Sequence, residues 1–362
     1  MQRLVAGKNK FRGKTMILNK IFSSHMVFAA NKPIRIYGYG KGEAVVTFAG
    51  EEKKIISDTD EWLVEFQPMN YGGPYLLKFK SDTYDVILDD IYVGEVYLFS
   101  GQSNAELPMR ETNIREEEYV DEKRLRLFTV DRLAESNFFK SDNGWTVCNR
   151  NEVSNWPALG YLSGNNIIKE KNIAIGIIDC TQGASVIESW VPEATFKNMG
   201  INIPIENKMS DHRNTEYSRW NKDAALYKEQ FLSVVPFQFS AVVWYQGESD
   251  TSDDEALVYD KEVCALIDIW RNDLKNEKLP FVIVQLADYC RPENSSAWAS
   301  IQEAQERVQT MRKNVKTVIS SDVCETDDIH PKTKDKLAER ITVALLSFSQ
   351  EKCENNSRIC HE

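Results

Sequence analysis

From residue 93 onward, short continuous apolar runs alternate with longer stretches of helical periodicity. Continuous apolar strands are buried on both faces, and their alternation with helices is typical of a parallel sheet covered by helices on both sides. The predicted strands cover residues 95–101, 124–130, 172–180, 239–247, 280–287 and 315–322. The predicted helices cover residues 157–170, 252–274, 296–313 and 333–350. We therefore predict a three-layer α/β/α domain over residues 93–350, followed by a frayed tail over residues 351–362.

The preceding part of the chain has a different pattern. Short runs such as "PIRIYGYG" and "EAVVTFAG" alternate only partly in polarity, and Gly, Pro, Asn and Asp separate them. A spacing of roughly 8–12 residues between such turns is typical of a β-sandwich. We therefore predict a small β-sandwich domain over residues 1–92, which begins with a basic, poorly structured leader.

Composition and charge exclude several classes of function. The formal net charge of −11 argues against a nucleic-acid partner, because nucleic-acid binding needs a basic surface. No apolar run is long enough for a membrane span or a signal peptide, which predicts a cytoplasmic location, or a secreted or periplasmic one if a signal has been removed. Seven widely spaced Cys residues favour neither a disulfide framework nor a zinc site. The oligomeric state stays open.

Polar and small residues follow four of the predicted strands. In a doubly wound sheet, ligands bind beyond the carboxyl ends of the strands, so these residues are expected to lie together. They are Gln102, Ser103 and Asn104; Gly183; Gln246 and Glu248; and Asp327, Asp328 and His330. A hydroxyl, a small-residue turn, an amide with a carboxylate, and an acid next to His are the groups that acyl transfer needs.

Each of these groups has a chemical role in such a reaction. The Ser103 hydroxyl is a weak nucleophile that needs an adjacent base, and His330, with an ordinary pKa of roughly 6.5, suits that task. The N–H groups of Ser103 and Gly183 and the side-chain amide of Gln246 are predicted to bind the oxyanion. This chemistry requires neither a metal ion nor a cofactor.

Three motifs resemble those of the sialate O-acetylesterase family, the carbohydrate esterases of the SGNH-hydrolase superfamily. They are "GQSN" after a strand, "WYQGESD", and "DDIHP" followed by "KTKDKLAER". The resemblance spans roughly residues 18–350 and implies a flavodoxin-like esterase domain. It also implies hydrolysis of O-acetyl esters on a sugar or glycan substrate, most of all 9-O-acetylated sialic acid. An acetyl-xylan esterase and a non-catalytic carbohydrate-binding protein are the alternatives.

The resemblance also assigns residues. It implies that Ser103 is the nucleophile, His330 the base and Gln246 an oxyanion ligand, with Gly183 as the first Gly of a segment that usually is Gly-Gly-Thr. The chain departs from the family at Ala184 and Ser185, which replace the second Gly and the Thr. It departs again at Ala105, where the family commonly has Met.

Several assignments stay open from the sequence. Asp327 fits the general SGNH spacing and Asp328 fits the family's "DIHP", while a Ser–His dyad oriented by a backbone carbonyl needs neither acid. Glu248 is interpreted as a support for the Gln246 loop rather than as an acid catalyst. Gln102 and Asn104 are predicted to contact substrate or to support the site, and Asn104 is alternatively a turn cap. His212 is interpreted as a surface-loop residue, with a place in the lining of a sugar site as the alternative.

Overall fold

The computed structural model describes residues 15–133, 144–213, 216–290 and 295–359. The predicted basic leader lies outside these residues up to position 14. The strands are β1 (Ile17–Leu18), β2 (Val27–Ala29), β3 (Ile34–Tyr39), β4 (Gly42–Phe48), β5 (Glu51–Ser57), β6 (Glu61–Phe66), β7 (Gly72–Ser81), β8 (Asp85–Gly101), β9 (Glu122–Thr129), β10 (Thr146–Cys148), β11 (Ile175–Thr181), β12 (Ala241–Tyr245), β13 (Phe281–Val284) and β14 (Val315–Val318).

The helices connect these strands and flank the sheet. They are α1 (Ser103–Glu106), α2 (Ala158–Lys171), α3 (Thr195–Asn198), α4 (Ser210–Arg213), α5 (Leu232–Val234), α6 (Asp253–Ala256), α7 (Tyr259–Asp273), α8 (Ser295–Met311) and α9 (Asp335–Ile359). A π-helical turn at Tyr227–Phe231 precedes α5. Single 3₁₀ turns lie at Met109–Glu111, Glu116–Glu118, Val153–Asn155, Ile187–Trp190, Ile205–Asn207 and Glu248–Asp250.

The central sheet has the strand order β10-β9-β11-β8-β12-β13-β14. All of these strands are parallel except β10, which pairs antiparallel to β9 at the edge. Every residue of β11, β12 and β13 is buried, as expected when helices cover both faces of a parallel sheet. The fold is therefore the mixed α/β architecture with a large central sheet that the alternating pattern predicts.

Strand β8 joins the two parts of the chain. Its first half pairs with β7 and β2, and its second half pairs with β11 and β12 at the centre of the parallel sheet. The predicted boundary at residue 92 therefore falls inside one continuous strand. A separate sheet, β1-β3-β6, lies next to the β4 and β7 strands, and Trp62 stacks on Phe79 at 5.2 Å. The division into two domains, with a sandwich first, stays a prediction.

The last helix is longer than the sequence pattern indicates. We predict a helix over residues 333–350 and a frayed tail beyond it, whereas α9 continues to Ile359. Residues 351–359 contain neither Gly nor Pro, so nothing in their sequence interrupts the helical backbone. None of the helices in the described ranges is both long and apolar enough to cross a membrane.

Candidate functional site

The end of β8 delivers Ser103 into a turn at the carboxyl edge of the sheet. Gly101 has a φ of +131°, and a Cβ atom there would lie 1.9 Å from the Tyr245 carbonyl oxygen. Glycine is therefore needed for β8 and β12 to approach each other at this point. The Gln102 N–H donates to the same oxygen at 3.0 Å, and Ser103 begins α1.

Ser103 and His330 meet across the edge of the sheet. His330 lies in the loop between β14 and α9, and its Nε2 atom is 2.8 Å from Ser103 Oγ. This distance is within the range of a hydrogen bond between a nucleophile and its general base. The structure thus brings together the predicted nucleophile and the predicted base from opposite ends of the predicted α/β/α domain.

Asn104 connects the turn of Ser103 to the loop of His330. Its Nδ2 atom donates to Glu248 Oε1 at 2.7 Å and to the Ile329 carbonyl at 2.8 Å. Its Oδ1 atom accepts a hydrogen bond from Lys334 Nζ at 2.8 Å. Since Asn104 is only 3% exposed, these contacts place it beneath the site as a support rather than at its surface.

Two buried charged groups flank Asn104. Burial raises the pKa of Glu248 to about 7, although the hydrogen bond from Asn104 opposes the shift. Burial lowers the pKa of Lys334 to about 8. The contact with Asn104 agrees with the interpretation of Glu248 as a supporting residue. Sequence analysis missed Lys334, although its place in "HPKTK", four residues after His330, is a signal that could have found it.

The surroundings of His330 favour the neutral imidazole that a general base needs. Its pKa is lowered mainly by burial and then by the positive charge of Lys334. The negative charges of Asp328 and Glu111 act in the opposite direction. The imidazole therefore stays neutral to a lower pH than an ordinary histidine, and in its neutral form it can accept the Ser103 proton.

The two candidate acids occupy different positions. Asp328 Oδ1 accepts a hydrogen bond from the backbone N–H of His330 at 2.9 Å, whereas Asp327 is exposed. Of these two acids, Asp328 is the one whose charge acts on the imidazole. Its oxygen is used by the backbone rather than by the ring, so a role in orienting the imidazole stays a prediction.

Gln102 links the Ser103 turn to the loop after β12. Its Oε1 atom accepts hydrogen bonds from the N–H groups of Gly247 at 3.2 Å and Ser249 at 3.4 Å. Gln102 is 2% exposed, so these hydrogen bonds are buried and its predicted role as a support of the site stays a prediction.

The Gly183 N–H, a predicted oxyanion donor, has a partner in this structure. It donates to Glu106 Oε2 at 3.0 Å, and Arg132 lies 3.4 Å from the same carboxylate oxygen. Arg132 also pairs with Asp179 at 2.8 Å. Burial raises the pKa of Glu106, and the charge of Arg132 opposes this shift. Sequence analysis missed Glu106 and Arg132, because neither directly follows a strand in a recognisable motif.

The side chain of Gln246 differs from its predicted role. Gln246 is fully buried, and its Nε2 atom donates to the Ser185 carbonyl at 2.8 Å and to Asp250 Oδ2. Its Oε1 atom accepts a hydrogen bond from the Tyr259 hydroxyl at 2.7 Å. Both hydrogens of the Gln246 side-chain amide are therefore in use. In this structure the amide has no further hydrogen to donate to an oxyanion.

Comparison with known families supports the esterase interpretation of this geometry. Residues 93–346 match the model of a family described as "Carbohydrate esterase, sialic acid-specific acetylesterase". The chain belongs to this family. The match includes Ser103 and His330, the two residues that the structure brings into contact, as well as the whole central sheet.

Relatives within the family are distant in sequence. The chain is 23% identical over 352 residues to human sialate O-acetylesterase and 23% identical over 369 residues to the mouse enzyme. The human alignment covers 84% of this chain but 65% of the human protein, and the mouse alignment covers 84% and 68%. The chain thus spans slightly less than two thirds of the human relative's length.

A solved structure has the same fold. A carbohydrate acetylesterase from Xanthomonas citri superposes with a TM-score of 0.79 at 24% identity. The superposition covers 91% of this chain and 74% of that one. At this identity the likeness establishes the fold, and the roles of individual residues rest on the geometry of this chain.

Ala184, where the chain departs from the family, has an unusual backbone conformation. Ala184 has a φ of +52°, in the left-handed region that glycine adopts most readily. Asn221 Nδ2 donates to the Ala184 carbonyl at 2.7 Å, and Trp190 Nε1 donates to Ser185 Oγ at 3.0 Å. These contacts hold the loop after β11 in a conformation that suits the Gly usual in this family.

Removing the charge of Asp327 and of Asp328 in turn distinguishes their roles. Asp328→Asn keeps an oxygen for the His330 N–H but removes the charge beside the imidazole, so kcat is expected to fall by about 10- to 100-fold. Asp327→Asn, the matched neighbour, is expected to stay within about twofold of wild type because Asp327 is exposed. Steady-state kinetics on an acetyl ester measures both. A larger loss for Asp327→Asn would reverse this assignment, and no loss for either would favour the dyad.

We expect Lys334 to affect the pH at which kcat/KM falls on the acid side. Activity should rise with pH as His330 loses its proton, and Lys334 lowers the pKa of His330. Lys334→Met removes that charge, so the midpoint of the acid limb of kcat/KM should move upward by about 0.5 pH unit. The control is Lys336→Met on the exposed side of α9. A midpoint unchanged in Lys334→Met, or lowered, would contradict this effect.

Proposed function

We propose that this chain is a serine esterase that hydrolyses O-acetyl esters on a carbohydrate. The observation that carries the proposal is the 2.8 Å contact between Ser103 Oγ and His330 Nε2 at the carboxyl edge of the parallel sheet. Membership of the carbohydrate esterase family supports the reaction class. The lowered pKa of His330 supports its role as the base.

The proposed reaction has two steps. Ser103 Oγ attacks the acetyl carbonyl carbon, and its proton passes to His330 Nε2. The bond to the sugar oxygen then breaks, and His330 donates the proton to that oxygen, which leaves an acetyl group on Ser103. Water attacks this acetyl group while His330 accepts a proton from the water. Acetate leaves, and the proton returns to Ser103.

The Ser103 N–H is the proposed first donor to the oxyanion. It belongs to the same residue as the nucleophile and lies at the start of α1. The Gly183 N–H would be a second donor only after it leaves Glu106 Oε2, to which it donates in this structure. Whether the Gly183 N–H can bind the oxyanion therefore depends on its hydrogen bond to Glu106.

The proposed substrate is 9-O-acetylated sialic acid. The family description and the names of the human and mouse relatives support sialate esters over other acetylated sugars. Acetylated xylan or another glycan is the alternative substrate with the same mechanism. The contact between Ser103 and His330 favours catalysis over simple carbohydrate binding.

Acetate release from three substrates tests the proposal. They are 4-nitrophenyl acetate, 9-O-acetyl N-acetylneuraminic acid and acetylated xylan. We expect hydrolysis of the first two and a kcat/KM for the sialate ester well above that for xylan. Hydrolysis of 4-nitrophenyl acetate and xylan alone would keep the mechanism and change the substrate. If none of the three is hydrolysed while the sugars still bind, the chain is a carbohydrate-binding protein.

A further inference from the structure

A second group of buried ionisable side chains lies beside the loop after β12. Glu188 belongs to the turn after β11, Asp250 to the turn after β12, and Glu255 to α6. His212 in α4 completes the group, and its side chain is only 5% exposed. The interpretation of His212 as a surface-loop residue is therefore wrong, because the segment folds inward against these carboxylates.

The carboxylates of this group lie near the ring of His212. His212 Nε2 lies 2.9 Å from Glu255 Oε1 and 3.8 Å from Glu188 Oε2. Glu188, His212 and Asp250 each provide one donor atom, and these three atoms lie within 4.8 Å of one another. Ligands bound to one zinc ion at about 2.0–2.2 Å are themselves about 3–4 Å apart. The spacing therefore approaches that of a preformed coordination shell.

Three of these atoms are buried without a hydrogen bond. They are His212 Nε2, Glu255 Oε1 and Glu188 Oε2. His212 Nε2 and Glu255 Oε1 lie 2.9 Å apart as an ion pair, whereas Glu188 Oε2 lies 3.8 Å from the imidazole. The Glu188 and Glu255 side chains are 11% and 2% exposed, so water replaces a missing partner poorly. Buried donor and acceptor atoms in such a state call for a further partner.

The protein orients two of these carboxylates toward the ring of His212. Glu188 Oε1 pairs with the Lys208 ammonium, which leaves Oε2 to face His212. Glu255 Oε2 accepts hydrogen bonds from the Met209 and Ser252 N–H groups, which leaves Oε1.

Asp250 is held in a similar way. Its Oδ1 atom accepts a hydrogen bond from the Ile187 N–H at 3.2 Å, and its Oδ2 atom accepts one from Gln246. Contacts of this kind around metal ligands fix their orientation and are part of a metal site.

The charges in this region also favour a cation. Glu262 is the fourth carboxylate here, beside Glu188, Asp250 and Glu255, while Lys208 and His212 are the basic partners within the described residues. Buried negative charge in excess must be neutralised by protons or by a cation. One proton joins a single pair of atoms, whereas a divalent ion binds several ligand atoms at once.

We propose that Glu188, His212 and Asp250, with Glu255 beside His212, form a structural site for a divalent transition-metal ion, with Zn²⁺ as the best match. One imidazole with carboxylates is a donor set that Zn²⁺ accepts, whereas Mg²⁺ prefers oxygen ligands alone. The site goes beyond the proposed esterase function and contains no reacting atom. The ion would tie α4 to the turns after β11 and β12.

A surface pocket reaches the edge of this cluster. Glu188, Lys208, Asp223 and Glu262 line it together with several residues between positions 191 and 203. Glu188 is the proposed ligand that lies on its wall, and negative side chains beside a pocket attract cations from solution.

Metal binding to the tag-free full chain tests this proposal. Protein stripped with a chelator and dialysed is titrated calorimetrically with Zn²⁺, and the bound metal is counted by mass spectrometry. We expect about one Zn²⁺ per chain and a Tm higher by about 4 °C at a free concentration of about 100 times Kd. Mg²⁺ should give neither effect. His212→Asn should weaken Zn²⁺ binding at least 10-fold, whereas the matched His25→Asn should bind like wild type.

Two results would overturn the proposal. The first is wild-type protein that takes up no stoichiometric Zn²⁺ and shows no change in Tm. The second is a His212→Asn variant that binds Zn²⁺ as tightly as His25→Asn does. The wild-type titration alone decides the matter if His212→Asn does not fold. None of these results depends on esterase activity, so they are separate from the tests of the proposed function.

Discussion

Ser103→Ala is expected to lower kcat for acetyl-ester hydrolysis by about 10⁴- to 10⁶-fold. The substitution removes the Oγ atom that attacks the ester and that lies 2.8 Å from His330 Nε2. Activity without this atom would require direct attack by water, which the remaining groups assist only weakly. Acetate release from 4-nitrophenyl acetate and from the sialate ester measures the loss on an activated and a natural substrate.

The fold should survive this change. Ser103 is half-buried, and its N–H and the hydrogen bonds of Gln102 and Asn104 remain in Ser103→Ala. Thermal unfolding should therefore change little, and KM should stay near its wild-type value. Ser296→Ala, on the exposed surface of α8, is the matched control. A Ser103→Ala protein with wild-type kcat would show that the nucleophile lies elsewhere.

His330→Asn is expected to lower kcat by about 10⁴-fold or more. Asn is too short to accept the Ser103 proton at the position of Nε2, so both the attack and the protonation of the sugar oxygen lose their catalyst. The remaining activity should also lose the acid limb that His330 produces. The pH profile of kcat/KM therefore distinguishes loss of the base from a general disturbance of the fold.

His25→Asn is the matched control for this variant. His25 pairs with Asp90 at 2.8 Å in the N-terminal part of the chain and has a φ of +72°, a conformation that Asn tolerates. Its kcat and its acid limb should match those of wild type. An acid limb that persists in His330→Asn would identify another group as the base.

The central sheet follows from the sequence because its strands carry a strong signal. Runs such as "NIAIGIIDC" are apolar on both faces, which only a doubly covered sheet accommodates. The N-terminal part is harder to divide from the rest. Strand β8 runs through both halves of its pairing, so the sequence pattern changes near residue 92 while the strand continues.

The contact between Ser103 and His330 was predictable for a related reason. Ser103 and His330 each follow a strand in a recognisable motif, and the carboxyl ends of parallel strands converge. The oxyanion donors were not predictable to the same degree. Whether an amide is free depends on partners distant in sequence, such as Glu106 for Gly183 and Asp250 for Gln246.

The burial of Lys334 and His212 is harder to predict from a sequence pattern. Lys334 contacts Asn104 across 230 positions of the chain, and His212 meets Glu255 through a connection without regular periodicity. A lone charged residue is usually solvated, so the sequence favours the surface for both. Their burial results from tertiary packing around the loops, which local propensity does not encode.

Trapping the acetyl-enzyme tests the central claim most directly. The wild-type protein is mixed rapidly with 4-nitrophenyl acetate, quenched in acid, digested and analysed by peptide mass spectrometry. We predict one acetyl group on the peptide that contains "GQSN", located on Ser103 by fragmentation, and none in Ser103→Ala. Turnover of the ester with an acetyl group on a different residue, or with equal labelling in Ser103→Ala, would contradict the proposed role of Ser103.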